Sequence, residues 1–351
     1  MTDNRTLLPH LIDEVMAADI RPLRNFLFSN PDKPLVVTGS GGSETAAELA
    51  ALLYGARGGV ATAVSPYTMH SLSDAALSTA KVLLISKGGH NRDAVFATRR
   101  SLEANPTGTA GFFLSAGDGN NARKLLLRTV PEHCFVTPVG HIHDGFVSVG
   151  TYVAYFALLT RIFQEDAPLQ RYKSVPERPF SLQYNDGTPI GPEALRGVGH
   201  YIILHGSWGR PVALNLEGKL VECGLAGAGV YDYRNYCHGR FIYTSNHLED
   251  SAIVMLVSPR ERDISLRTRA FLPPTTKLVV VETGHDAPEA TLDLLLRASD
   301  FFRELCTVCG TDPACPSNPG RIDKRVPINV PFISGMKEWG PLFLSTRVSG
   351  S

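Results

Sequence analysis

The chain has 351 residues, 43% hydrophobic and 19% charged, with 34 Lys+Arg balanced by 34 Asp+Glu. This length predicts about two domains, and the composition excludes disorder or a fibrous repeat as the main state. The charge balance removes the electrostatic case for nucleic acid or an anionic membrane as the main partner, but not for a small anion held by a local cluster.

Six irregularly spaced cysteines do not suggest a disulfide framework. Met1 to Arg5 is polar and lacks the apolar region of a signal peptide. The longest apolar stretch, Val149 to Leu159, is well short of the ~20 residues of a membrane span. These features predict a soluble, cytoplasmic protein.

Short apolar runs bounded by small residues recur in the first half: Leu35–Val37, Val60–Val64, Val82–Ile85, Gly111–Leu114 and Cys134–Thr137. Continuous rather than alternating runs fit strands buried on both faces of a parallel sheet. Helical patterns fill the gaps at Ser43–Tyr54, with Ser43 as N-cap, Arg92–Leu102, Asn120–Leu127 and Asp144–Phe163. Alternating strands and helices predict an open α/β sheet of five strands. Gln164 to Pro192 is charged, proline-rich and turn-like at Asn185-Asp186-Gly187, and reads as a connection. A second series follows, with strands at Tyr201–Leu204, Ile253–Val257 and Leu278–Val281 and helices at Val212–Glu222 and Ala290–Leu305. The expected division is residues 1–165, a linker at 166–191, a second domain at 192–312, and a Pro/Gly-rich tail at 313–351.

Two glycine-rich turns carry the first chemical signal. Thr38-Gly39-Ser40-Gly41-Gly42-Ser43 and Ser86-Lys87-Gly88-Gly89-His90-Asn91 each run from a strand into a helix. Small residues let backbone N–H groups approach a ligand, and a helix N-terminus adds unpaired donors. Ser40, Ser43 and Ser86 add hydroxyls. An anion such as phosphate fits, as does a plain tight turn. Neither turn matches Walker A or the full dinucleotide fingerprint. In the second half, Lys219 and Glu222 share a helix face after Pro211. Spacing alone favours an exposed pair, since such pairs are common and weak. Cys237-His238-Gly239 closes a Tyr-rich loop. By residue type these reach no further than a candidate acid–base site.

As a set, these segments resemble the sugar isomerase (SIS) family in its two-domain form, in the pattern of the isomerase half of glucosamine-6-phosphate synthase. Pro211-Val212-Ala213-Leu214, then Lys219, Glu222 three residues later and His238-Gly239 sixteen beyond, follow that pattern without a gap. Pro319-Gly320-Arg321-Ile322-Asp323-Lys324 is similar to the family's tail, which carries an active-site lysine. The resemblance covers about residues 20 to 330. It implies two three-layer, flavodoxin-like domains with five-stranded parallel sheets, and an enzyme moving a proton between C1 and C2 of an open-chain sugar phosphate. Glu222 would be the base. His238 would open the ring, often reaching in from a neighbouring subunit. Lys324 and Lys219 would stabilise an enediolate. Ser40, Gly41, Ser43, Ser86, Lys87, Gly88 and Asn91 would hold the phosphate or a related anion. A homodimer without cofactor or metal is implied.

Where the family's second turn has Ser-x-Ser-Gly-x-Thr, this chain has Ser86 to Asn91, one Ser and one Thr hydroxyl fewer. That leaves an anionic sugar as the expected ligand without fixing it as a hexose 6-phosphate. No glutaminase domain or Cys at position 2 precedes the turns, so glutamine-dependent amination is not expected of this chain alone. Cleavage of a C–N bond in a sugar-amine phosphate, as by a deaminase or deglycase, uses the same base. A non-catalytic sugar-phosphate sensor is the rival from another class.

Other motifs read as structural. His141-Ile142-His143-Asp144 lacks a third spaced metal ligand, and Cys306-Thr307-Val308-Cys309 with Cys315 lacks a second pair. The thiols near residue 306 are expected to be buried or half-exposed. Cys223 has no identifiable base partner. Trp208 is either a wall of the site or a core aromatic.

Overall fold

The computed structural model describes residues 4–117, 121–140, 142, 144–145, 147–314 and 316. The elements run in order: α1 (Asn4–Ala17), α2 (Arg21–Phe28), β1 (Leu35–Thr38), α3 (Ser43–Ala56), β2 (Ala61–Val64), α4 (Pro66–Ser71), α5 (Asp74–Thr79), β3 (Lys81–Ser86), α6 (Arg92–Ala104), β4 (Thr109–Phe113), α7 (Asn121–Thr129), β5 (Cys134–Val136) and α8 (Gly150–Phe163). There follow β6 (Ser181–Tyr184), β7 (His200–His205), α9 (Arg210–Glu222), β8 (Gly227–Asp232), α10 (Tyr233–Asn235), α11 (Phe241–Asn246), β9 (Ser251–Val257), α12 (Arg262–Phe271), β10 (Lys277–Glu282) and α13 (Glu289–Cys309).

The first sheet has strand order β2-β1-β3-β4-β5, and all of its pairs are parallel. Its inner strands β1, β3 and β4 are buried almost throughout, as their unbroken apolar runs require, whereas edge strand β2 is half-exposed. The second sheet has the order β6-β10-β9-β7-β8. Read from β8, it repeats the first arrangement, which accounts for the duplicated layout. Its last strand differs: β6 runs antiparallel to β10, so the expectation of two all-parallel sheets is corrected. β6 also lies in the span read as a linker, because its alternating and partly exposed residues give no continuous apolar run. β8 was missed for the same reason, being a glycine-containing edge strand of intermediate burial.

One hydrophobic core spans both halves, and α3, α8, α9 and α13 meet within it. Helix α8 is buried on nearly every side, with Tyr155, Phe156, Leu158 and Leu159 all 0% exposed. A helix apolar all round belongs in such an interior. Burying each large side chain contributes about 1.5–3 kcal/mol. This helix begins at Gly150, not at Asp144 as expected. No helix among the described residues is long and apolar enough to cross a membrane.

Candidate functional site

The strand order of the first sheet reverses between β1 and β3, whose C-terminal ends carry the two glycine-rich turns. In open α/β sheets a ligand crevice forms at such a point. The turns touch: the Asn91 side-chain amide donates to Ser40 Oγ at 2.9 Å. Much of the second turn's polarity serves the turn itself. Ser86 Oγ accepts from the Gly89 N–H at 3.1 Å, and Asn91 Oδ1 caps α6 by accepting from the Asp93 N–H at 2.9 Å. The Gly88 Cα faces the His90 ring. Lys87 Nζ lies 3.4 Å from Asp144 Oδ2. Ser43 is the first residue of α3, and Gly42 occupies the N-cap with no side-chain cap bond, which corrects the expected Ser43 cap.

The corresponding reversal in the second sheet, between β7 and β9, is filled. Glu261 packs so closely on Gly206 that a Cβ there would lie 1.9 Å from its carboxylate. That carboxylate accepts from the Ser258 N–H and hydroxyl.

Beside the first turn, α3, α8 and α9 enclose a cavity of about 250 Å³. Lys219 and Glu222 line it together. Lys219 is 3% exposed, which overturns the exposed reading for the lysine, whereas Glu222 is exposed as expected. Its ammonium donates to Ser299 Oγ at 3.3 Å and lies 5.6 Å from the Tyr152 ring centre and 5.8 Å from that of Phe302. Burial pushes its pKa down to about 8, while Asp144, the Cys306 and Cys223 thiols and Glu222 pull the other way. Glu222, on the last turn of α9, opens onto the cavity. The atoms packed round it still displace enough water to raise its carboxyl pKa, Glu217 raises it further, and Lys219 opposes. Glu44 and Glu217 also line the cavity, and burial raises both.

Of the turn residues expected to bind ligand, Gly41 is the one that lines this cavity among the described residues. Ser40 and Gly41 border a neighbouring cavity of about 240 Å³ with Glu44, His70, Arg92 and Phe96. His238 is not brought to Lys219 and Glu222 within the chain. It sits exposed on the turn after α10, where Gly239 adopts φ 106°, a conformation that glycine takes without strain. Lys324, His141, His143 and Cys315 lie outside the described residues.

Asp144 has a structural duty. Its carboxylate accepts from the N–H groups of Val149, Gly150 and Thr151, at 2.9, 2.8 and 3.0 Å, and from the Thr151 hydroxyl. Burial acts to raise its pKa, but these bonds and the Lys87 charge outweigh it and leave the pKa lowered. Among the described residues no three His, Cys, Asp or Glu side chains converge as metal ligands. Cys306 is buried and Cys309 exposed. Cys223 is buried, with its thiol hydrogen-bonded to that of Cys306. Trp208 borders a separate cleft with Glu48 and Arg260 and does not wall the Lys219 cavity.

Sequence reading missed Tyr152 and Asn215, both of which line the cavity. Asn215 had a local signal, since it stands four residues before Lys219 on the same helix face. Tyr152 had none. It reaches the cavity because α8 crosses close to α3, and its hydroxyl lies so near Gly42 that a Cβ there would be 1.1 Å away.

No protein-family model matches the chain, and no curated protein matches it. Solved structures do. Tagatose-6-phosphate ketose/aldose isomerase from Escherichia coli superposes with a TM-score of 0.65 at 15% identity, over 89% of this chain and 92% of that one. Glucosamine-6-phosphate deaminase from Thermotoga maritima gives 0.62 at 15% identity, over 88% and 97%. The C-terminal domain of glucosamine-fructose-6-phosphate aminotransferase from Francisella tularensis gives 0.59 at 11% identity, over 88% and 95%. The chain therefore has the two-domain SIS fold across most of its length.

Proposed function

We propose that the protein is a sugar-phosphate isomerase-type enzyme that moves a proton between C1 and C2 of an open-chain sugar phosphate. The observation that carries this reading is the pairing of a buried Lys219 with Glu222 on one face of α9, both lining a single cavity beside the first glycine-rich turn. The fold shared with two sugar-phosphate enzymes supports the substrate class. Glu222 removes the C2 proton of the aldose form. The electron pair forms the C1=C2 bond of an enediolate, and negative charge moves to O1. The Lys219 ammonium offsets that charge. Transfer of the O2 hydroxyl proton to O1 moves the negative charge to O2, and return of the carbon-bound proton to C1 as the carbonyl re-forms at C2 gives the ketose. A carboxyl whose pKa is raised toward the working pH is suited to both transfers. On the resemblance, His238 of a neighbouring subunit assists ring opening and Lys324 joins Lys219. The phosphate lies against the turns bearing Ser40 and Ser86.

The test is exchange of the carbon-bound proton in heavy water, at C1 of fructose 6-phosphate and tagatose 6-phosphate and at C2 of glucosamine 6-phosphate. Glu222→Gln should lose exchange by about 10²-fold or more while keeping its dissociation constant. Unchanged exchange in that variant would sink the reading, and binding without exchange in the wild type would favour a sensor.

One observation favours cleavage of a sugar-amine phosphate as a second reading. Glu44, Glu217 and Glu222 face the cavity against the single cation Lys219 among its described lining residues, a setting that suits an ammonium group. Release of ammonia from glucosamine 6-phosphate separates this from simple isomerisation.

A further inference from the structure

The cavity holds polar groups that the proton transfer leaves unused. Asn215 lines it at 5% exposure, and among the described residues its carboxamide makes no hydrogen bond. Its amide is not among the fully enclosed, unpaired polar atoms of the described residues, so it reaches the open space of the cavity, where a ligand can pair with it. Asn215 stands four residues before Lys219 and seven before Glu222, so the three share one face of α9. Tyr152 stands on α8 across the cavity, with the Lys219 ammonium 5.6 Å from its ring centre. Its hydroxyl is close against Gly42 and also makes no hydrogen bond among the described residues.

We propose that Asn215 and Tyr152 are ligand-binding residues that read a hydroxyl or amine substituent beside the carbons served by Glu222 and Lys219. An amide and a phenol can each donate and accept, so together they match a group that does both. A phosphate or carboxylate only accepts and would leave the Asn215 carbonyl unpaired. The three carboxylates lining the same cavity also disfavour an anionic group there. The ligand is therefore a polyol or aminopolyol whose neutral or cationic end enters between α8 and α9, with its phosphate outside this cavity. This inference rests on the isomerase-type reading and adds the two residues that select the substituent.

The test compares wild type, Asn215→Leu and Tyr152→Phe as full-length proteins. Unfolding midpoints are measured without ligand, and dissociation constants for fructose 6-phosphate, glucosamine 6-phosphate and inorganic phosphate. Asn215→Leu should keep the ligand-free midpoint, because the amide makes no hydrogen bond among the described residues of the fold. It should weaken both sugar phosphates by about tenfold or more and leave inorganic phosphate unchanged. Tyr152→Phe, which removes one oxygen, should weaken them by about fivefold with the midpoint held. A lower ligand-free midpoint in Asn215→Leu would assign the residue to the fold and overturn the proposal. So would sugar-phosphate affinities within about twofold of wild type in both variants. A wild type that binds neither sugar phosphate sinks the isomerase-type reading, whereas a wild type that binds them no better than the variants sinks this proposal alone.

Discussion

At residue scale, Lys219 is the side chain on which most chemistry turns. Its pKa is about 8 in the fold against an ordinary 10.5. Between those values the unfolded chain holds more protons than the folded one, so the stability contribution of this group rises with pH across that window. Below about pH 8 the charged ammonium is buried at full cost. Lys219→Met is expected to be more stable than wild type at pH 7, on the order of 2 kcal/mol, with the gap closing between pH 8 and 10.5. Lys81 is also lowered to about 8 by burial, so the comparison is made against wild type at each pH, where Lys81 cancels. Denaturant titrations at several pH values check this, and a gap independent of pH would overturn it. In activity, an ammonium needed at O1 places an alkaline limb near pH 8 in kcat/KM. Lys219→Arg should move that limb to higher pH, since guanidinium stays charged.

At the scale of elements, the α8 N-terminus shows how the second turn is tied to the site. Asp144 satisfies three N–H groups of that end and holds Lys87. Asp144→Asn should destabilise the protein by about 1–2 kcal/mol at pH 7. The native pKa is lowered, so the carboxylate's contribution is present above the ordinary carboxyl value and is lost as pH falls through the folded one. The gap between wild type and variant should therefore shrink in acid, which thermal unfolding at pH 7 and pH 3 measures. The crossing of α8 over α3 is equally demanding. A methyl at position 42 would overlap the Tyr152 hydroxyl, so Gly42→Ala must displace that ring from the cavity. Overpacking of this kind costs about 1–3 kcal/mol. Calorimetry would show it, and an unchanged midpoint would mean that Tyr152 swings away freely.

At the scale of the whole molecule, the duplicated sheets are not equivalent. One strand-order reversal is open, and the other is occupied by Glu261 on Gly206. His238 stands away from the open site, on an exposed turn followed by Phe241, Ile242 and Tyr243, which are 44%, 55% and 44% exposed. If this histidine serves a neighbouring copy, as proposed above, a dimer is expected in sedimentation at micromolar concentration. Mixing inactive Glu222→Gln and His238→Ala chains should then restore about a quarter of wild-type activity, the yield when two chains exchange at random and one of the two sites in each mixed dimer is complete. No recovery, with subunit exchange demonstrated, would place His238 in the same chain's site as Glu222, and full activity of His238→Ala by itself would place it outside the reaction.

Much was legible in the chain itself. The buried strands β1, β3, β4 and β9 announce themselves because both faces are apolar, so their runs are unbroken. Lys219 and Glu222 were paired by helical spacing, which depends only on the pitch of α9. Edge strands β6 and β8 were hidden because half-exposed residues carry no such run. Tertiary packing decided the rest. Burial of Lys219 arises where α8 and α13 close over α9, and Tyr152 enters the cavity because α8 passes Gly42 without room for a methyl group. Desolvation and close approach belong to elements distant in the chain, so local sequence determined which groups share a face, and only the fold decided which of them leave water.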